Sequence, residues 1–512
     1  MNHTPIKPTR EEFRELAKEG NLIPVFTELV ADCETPVSAF QKIDSGGYSF
    51  LLESAEHIDR GGRYSFVGSD PHIIFQSSGR TIQITENRET RSFETGDDPL
   101  AELQRLMSRY KPVTVPDLVR ARQAVPFIGG AVGYLSYDVV RFFEPSIPAA
   151  PKDELELPES VFFITDTVLI FDHRLRRLRV LSNAFVEGDP DKAYDQARTK
   201  IEQILIRLSQ PTRLPEINIY GEPARLTPRS NTTREEYEQM VRDSHEFIHG
   251  GDIFQIVPSQ RFEANYSGDP LTLYRCLRHV NPSPYMFCFN FAGKFSLVGS
   301  SPEVHVRAVN GKIEIRPIAG TRRRGVTEEE DAANALELLA DPKERAEHLM
   351  LVDLARNDVG RIAEYGSVLV EDFMTIEKYS HVMHIVSNVS GKLREGNNAY
   401  DVMRATFPAG TVSGSPKVRA MQIINQFEKS KRGTYAGAVG YFGFDGNHDS
   451  CIALRTIALK DGKAYVQAGA GVVADSTPEG EYQETVNKAM GMMRAIEKAA
   501  SIAKEQLGGT DT

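Results

Sequence analysis

Tyr48-Ser-Phe-Leu-Leu-Glu-Ser54 places Tyr48, Phe50, Leu52 and Ser54 on one face of an extended chain, the period-two pattern of a half-buried strand. Runs of the same kind recur at 63–67, 72–75 and 81–84, separated by the turn pairs Gly61-Gly62 and Ser78-Gly79. This spacing predicts an antiparallel sheet. A further hairpin is predicted with strands at 167–171 and 175–181, joined across Asp172-His173-Arg174. Asp189-Pro190 then opens a helix with Ala193, Ala197, Ile201, Ile204, Leu205 and Leu208 along one stripe. Residues 209–232 carry Pro211, Pro215, Pro223 and Pro228 and few large apolar side chains, which reads as a linker. Beyond it the capping pattern Thr233-x-x-Glu236 starts a helix whose apolar stripe is Tyr237, Met240, Val241, Phe247 and Ile248, ended by Gly250-Gly251. The expected division is a unit at 20–210, a linker at 211–232 and a second unit at 233–498. One internal echo stands out: Gly130-Ala-Val-Gly-Tyr-Leu-Ser-Tyr-Asp138 and Gly437-Ala-Val-Gly-Tyr-Phe-Gly-Phe-Asp445. It is too short for a repeat architecture. It marks either equivalent strands in two sheets or a shared way of packing glycine-rich strands.

A chain of 512 residues exceeds what one hydrophobic core normally holds. With 40% hydrophobic and 26% charged residues it has the composition of a soluble globular protein. Its 60 Lys+Arg against 71 Asp+Glu give a net charge of -11, so no positive field exists to replace the counterions of a nucleic-acid backbone. No stretch approaches the ~20 apolar residues of a membrane span, and the first residues lack a signal-peptide core. Cys33, Cys276, Cys288 and Cys451 are scattered, with no CxxC pair. That argues against a zinc site or disulfide framework and predicts a reducing cytoplasm. A large cytoplasmic enzyme is the expected class.

Several polar groups fall where a plain core would not put them. Asp252-Ile-Phe-Gln-Ile-Val-Pro258 reads as a strand in which Gln255 shares a face with Ile253 and Val257, either bonded within a core or facing a cavity. Cys451-Ile-Ala-Leu-Arg-Thr-Ile-Ala-Leu459 likewise puts Arg455 beside Ala453 and Ile457. A buried guanidinium needs an anion, either a protein carboxylate or a substrate carboxylate held bidentately. Two helices, opened by Asp341-Pro342 and Thr477-Pro478, carry Glu344 with Glu347 and Glu481 with Glu484 and Lys488. Four carboxylates without a matching basic cluster suggest an oxygen-ligated divalent cation, magnesium; the alternative is two solvated acidic faces. A diiron site would call for Glu-x-x-His, and the first helix reads Glu344-x-x-Glu347-His348. The glycine-rich turns Pro317-Ile-Ala-Gly-Thr321, Pro408-Ala-Gly-Thr-Val-Ser-Gly-Ser-Pro416 and Ala468-Gly-Ala-Gly471 fit no nucleotide motif, but bare amides of this kind can hold a carboxylate. Arg455, the amides at 469–471, Lys488 and a metal together fit a small dianion.

Four segments carry a resemblance: Pro317-Ile-Ala-Gly-Thr-Arg322, Glu347-His-Leu-Met-Leu-Val-Asp-Leu-Ala-Arg-Asn-Asp358, Phe407-Pro-Ala-Gly-Thr-Val-Ser-Gly-Ser-Pro-Lys417 and Gln467-Ala-Gly-Ala-Gly-Val-Val473. In this order, within about 20–495, they resemble the chorismate-utilising enzymes, and among them the large components of anthranilate synthases. The resemblance implies an α+β fold of two packed antiparallel sheets with helices outside. A closely associated N-terminal regulatory domain would occupy 20–210, and the chorismate-binding catalytic domain 233–498. Two positions favour this branch. Ala319 stands where the similar aminodeoxychorismate synthases, the alternative within the family, carry a lysine nucleophile. Gln255 stands where the water-using isochorismate and salicylate synthases carry a lysine base; an amide cannot deprotonate water, and ammonia needs no such base.

The implied activity is conversion of chorismate and ammonia to anthranilate and pyruvate through 2-amino-2-deoxyisochorismate, the committed step of tryptophan biosynthesis. Magnesium would be held by Glu347 and Glu484, with Glu344 and Glu481 nearby through waters. Arg455, Tyr435, Lys488 and the segment Gly469, Ala470 and Gly471 would meet the substrate, with Gly320 and Thr321 at its ring end. Glu303 would protonate the departing hydroxyl, His384 would serve the elimination of pyruvate, and Gln255 and Thr321 complete the catalytic set. Nothing in the chain resembles a glutaminase, so a separate glutamine amidotransferase subunit is expected, in a heterotetramer of two large and two small subunits. Feedback by L-tryptophan is expected at Leu52, Glu53, Ser54, Pro284, Tyr285 and Met286. A silent tryptophan-binding regulator is the rival of another class.

Overall fold

The computed structural model describes residues 5–54, 62–119, 125–218, 220–379 and 382–508. Its centre is a pair of large antiparallel sheets. The first has eleven strands. Five come from the N-terminal half, in the spatial order Leu22–Val30, Arg177–Phe185, Thr167–Asp172, Tyr64–Ser69 and Tyr48–Glu53. Six follow from the C-terminal half: Tyr285–Phe291, Ser296–Ser301, Thr456–Lys460, Lys463–Gly469, Ser259–Asn265 and Arg229–Ser230. The halves join where Met286 pairs with Glu53 and Phe291 with Tyr48. The alternating run at 48–54 is therefore a central strand, buried because it has a neighbour on each side.

The second sheet has twelve strands and is joined in the same way, by Gly130–Leu135 pairing with Ala438–Gly443. These are the two echoed segments. They lie side by side in one sheet rather than in two. Gly133 and Gly440 are direct partners, and a Cβ would come 1.9 Å from the Val161 carbonyl oxygen at the first and 2.1 Å from that of Asp449 at the second. Close backbone approach is what both glycines serve.

Aromatic rings hold the sheets face to face. Tyr48 meets Phe163 at 5.4 Å, Tyr134 meets Phe291 at 5.7 Å and Phe66 meets Tyr441 at 6.3 Å, each pair reaching from one sheet to the other. Phe163, Phe289 and Phe291 are completely buried, each contributing roughly 1.5–3 kcal/mol through the area it removes from water. Helices cover the outer faces. Pro190–Leu208, Pro36–Ile43, Pro270–Val280 and Pro478–Gly508 pack on the first sheet, while Glu328–Ala340, Pro342–Ile362 and Ala399–Thr406 pack on the second. The expected caps form: Asp189 and Asp341 accept from first-turn amides, and Thr233 and Glu236 close a reciprocal capping box. Apart from Arg229–Ser230, the described part of 211–232 has no regular element, yet Leu214, Ile217 and Leu226 rest against the core.

Two strand expectations need correction. The segment 451–459 is not continuous: it breaks between His448–Ile452 and Thr456–Lys460. Likewise 252–258 contributes only Gln255–Ile256, paired to Gly414–Ser415, and Ile253, Ile256 and Val257 are all buried, so period-two alternation fails there. Both departures occur where the backbone borders the cavity described next.

Candidate active site

A cavity of about 490 Å³ lies where the ends of both sheets meet the helices Pro342–Ile362 and Pro478–Gly508. Three local devices aim polar groups into it. The first is the break before Thr456. Arg455 adopts a left-handed backbone with φ 46°, a conformation costing about 1–3 kcal/mol in a residue with a Cβ. Its carbonyl is fixed by the Ser300 amide at 3.1 Å, and its guanidinium donates to the Asn281 side chain at 3.4 Å. Burial pushes its pKa downward, and among the described residues it has no ion-pair partner. Of the two anions that could serve a guanidinium here, a protein carboxylate does not take the place among the described residues.

The second device is a bulge. The register between Ile318–Arg323 and Val382–Lys392 shifts at Gly320, whose φ is 68°. A Cβ there would sit 3.0 Å from a Glu344 carboxylate oxygen, so the position needs glycine for conformation and for room. Beyond the bulge Thr321 lies opposite His384. The His384 Nδ1 is 2.9 Å from the Gly320 carbonyl and 3.1 Å from the Thr321 hydroxyl. Donation from Nδ1 to that carbonyl leaves Nε2 as the basic nitrogen. Burial lowers the pKa of His384 and nearby Arg455 adds to the effect, against the Gly320 bond, so the ring stays neutral.

The third device is the pair of helices. Pro342–Ile362 delivers Glu344 and Glu347, and Pro478–Gly508 delivers Glu481, Glu484 and Lys488, all lining the cavity. Glu347 is pushed up in pKa by burial, then by Glu344 and Glu484. Glu481 is pushed up by burial and by Glu484, while a bond to Ser476 opposes the shift. One oxygen of Glu481 is buried without a hydrogen-bond partner among the described residues. Glu344 pairs with Arg322 at 3.1 Å, and Glu484 pairs with Lys488 at 2.7 Å, which also donates to the Gly469 carbonyl at 3.0 Å. Crowded carboxylates with raised pKa values and an orphaned oxygen fit a hard divalent cation. Among the described residues, however, no three His, Cys, Asp or Glu side chains converge enough to enclose an ion, so a cation here would draw other ligands from substrate and water.

Glu303 follows the strand Ser296–Ser301 and faces the same cavity. Burial pushes its carboxyl up to about 8, against the influence of Thr411 and Lys488, so it is a protonated acid at neutral pH. Gln255 is 4% exposed, and its side-chain oxygen has no hydrogen-bond partner among the described residues. Tyr435 lies 5.4 Å from the Arg432 guanidinium, and burial pushes its phenol up to about 12, keeping it a donor. Ala319, Gly469 and Gly471 line the cavity, whereas Ala470 is fully buried and does not. The other catalytic, substrate and metal positions expected from sequence all converge on this one space. Lys343, Thr411 and Ser476 also line it. The signals were present: Lys343 stands four residues before Glu347, and Thr411 lies inside a quoted glycine-rich turn.

A separate pocket of about 120 Å³ opens at the seam of the first sheet. Leu52, Glu53, Ser54, Pro284, Tyr285 and Met286 all line it, with Arg307, Tyr441 and Asp449 among its other walls. The Tyr285 hydroxyl bonds to Asp449 at 2.8 Å and accepts from Arg307 at 2.7 Å.

Residues 50–494 match the family described as chorismate binding enzyme. The chain is 47% identical over 496 residues to an anthranilate synthase component 1 of Aquifex aeolicus, covering 97% of this chain and 99% of that protein. It is 45% identical over 500 residues to one of Acetivibrio thermocellus, with 97% and 99% covered. Among solved structures it superposes on anthranilate synthase component I from Streptococcus pneumoniae with a TM-score of 0.73 at 38% identity, covering 84% of this chain and 92% of that one. The menaquinone-specific isochorismate synthase of Escherichia coli, at 18% identity and a TM-score of 0.68 over 95% of this chain and 98% of that one, shares the fold.

Proposed function

The chain belongs to the chorismate binding enzymes, and from that premise we propose that it joins chorismate and ammonia to give anthranilate and pyruvate. The observation that carries the choice of nucleophile is Gln255. Its side chain lines the cavity, its buried carbonyl oxygen has no partner among the described residues, and an amide is too weak a base to activate water. Arg455, which has no ion pair among the described residues, binds the enolpyruvyl carboxylate, helped by the Tyr435 phenol and the Gly469–Gly471 backbone. Glu347 and Glu484 would hold magnesium, with Glu344 and Glu481 steadying its waters; when bound, the ion polarises the ring carboxylate. Glu303 gives its proton to the leaving hydroxyl, and Thr321 fixes the ring end. His384 Nε2 takes the ring proton whose removal drives aromatisation with loss of pyruvate.

Ammonia comes from glutamine on a partner amidotransferase subunit, in a heterotetramer of two chains of each kind. The component-1 name of the relatives supports a partner of this sort. The seam pocket binds L-tryptophan, with the indole against Leu52 and Met286 and the amino-acid end at Ser54 and the 284–286 backbone. This gives 20–210 its regulatory part and 233–498 its catalytic part. Replacing Gln255 tests the reading: Gln255→Lys should lose most amination and gain isomerisation of chorismate to isochorismate, in which water adds as the original hydroxyl leaves. Undiminished amination with no isochorismate would overturn it.

A further inference from the structure

A second cavity, of about 30 Å³, meets the main one at Glu303, Leu351 and Thr411. Its other walls include His305, Ala355, Asp358, Thr406 and Gly410. A water molecule needs about 10–15 Å³ of such space and two to four polar partners, so there is room for about two. Polar side chains are among its walls: Glu303, His305, Asp358, Thr406 and Thr411. The Thr411 hydroxyl lies beside the Glu303 carboxyl without reaching full hydrogen-bond geometry, and it is buried with no other partner among the described residues. His305 Nε2 approaches the Thr406 carbonyl only at 3.4 Å. The Asp358 carboxylate is neutralised by Lys417 at 2.8 Å, so the space is polar but carries little net charge.

Amination of chorismate releases one water. The Glu303 proton passes to the hydroxyl oxygen, the C–O bond breaks as the ring double bonds shift, and the ammonia lone pair forms the C–N bond. The new ammonium then sheds a proton, which restores Glu303. With substrate filling the main cavity, the water forms at Glu303, a residue that together with Thr411 borders both spaces. We propose that the small cavity is the site that receives the departing water, so that the hydroxyl once lost does not add back. The proposal rests on Glu303 being the acid.

Ala355→Val narrows the small cavity from a buried position that does not line the main one. Gly410→Ala does so independently, since its Cβ would come 2.8 Å from the flexible end of Leu354, another wall. Each variant should lower kcat by about tenfold, with KM for chorismate and Tm near the parent values. In a His384→Met background, equilibrated with ammonium in H2-18O, recovered chorismate should take up less 18O per amination event when the cavity is filled, because trapped water returns before it exchanges. Parent kcat and parent 18O uptake in a folded variant would overturn the proposal. Gly410→Ala keeps the test open if Ala355→Val does not fold. Full amination by Glu303→Gln is a different failure, which would remove the acid itself.

Discussion

The surroundings of Glu303 and His384 push the two side chains in opposite directions. Burial raises the carboxyl to about 8 and lowers the imidazole, so at neutral pH one is a loaded acid and the other a free base. The acid form of Glu303 is lost as pH rises through about 8. At constant free ammonia, kcat/KM of the free enzyme should therefore fall above that pH, and a profile flat to pH 9.5 would remove Glu303 as the acid. His384→Met should still aminate chorismate but release little pyruvate, so that a non-aromatic amino intermediate accumulates; product analysis by mass spectrometry reads this directly. The types of these residues were legible in the sequence, and so was the oddity of Gln255 and Arg455. What was not legible was how Arg455 reaches the cavity. Alternation assigned it to a strand face, whereas a left-handed backbone at that one residue aims it inward. A positive φ in arginine leaves no mark on composition or periodicity.

At the scale of elements, one bulge and two helices position the polar lining of the main cavity, and one strand seam forms the smaller pocket. Gly320→Ala should cost about 1–2 kcal/mol from its left-handed backbone and displace Thr321 and Glu344 together, so activity should fall far more than Tm. Glu347→Gln or Glu484→Gln should abolish turnover while the protein stays folded, and magnesium-dependent activity in either would contradict the ligand assignment. At the seam, Ser54→Phe should fill the 120 Å³ pocket and relieve tryptophan inhibition with little change in the ammonia-dependent rate. Equal tryptophan sensitivity in variant and parent would take this pocket out of the account. Helix starts were easily read, since Asp189, Thr233 and Asp341 announce themselves by side chains that bond to first-turn amides. Strand partners were not. Pairing 48–53 with 285–291 joins segments more than two hundred residues apart, and no local pattern encodes a pairing at that range.

Over the whole molecule, the two halves share both sheets, and strands of these shared sheets line the seam pocket and the main cavity alike. Of the pocket residues, Tyr285 pairs with Ser301, two residues before Glu303, and Arg307 lies on the strand that begins at Val304, directly after it. A ligand that shifts one of these strands shifts the acid, and tryptophan and chorismate affinities should be reciprocally linked. The fold also carries a pH limit of its own. His305, His348 and His448 are buried and neutral, with burial lowering their pKa values to about 3, 4 and 4. Below the ordinary histidine range near 6.5 the unfolded chain binds protons that the folded chain refuses. Tm should therefore fall as pH drops from about 6.5 towards 4. Replacing His448 with Gln should flatten that fall, whereas an unchanged slope would contradict the assignment. The central claim is amination at the cavity shared by Glu303, Gln255 and the four glutamates. Its most direct test is the fluorescence of anthranilate formed from chorismate, magnesium and an ammonium salt by the purified chain alone. The account predicts anthranilate and pyruvate in equal amounts, abolished by chelation of the metal. Isochorismate or a 4-amino product in place of anthranilate, or full turnover in the presence of chelator, would contradict it.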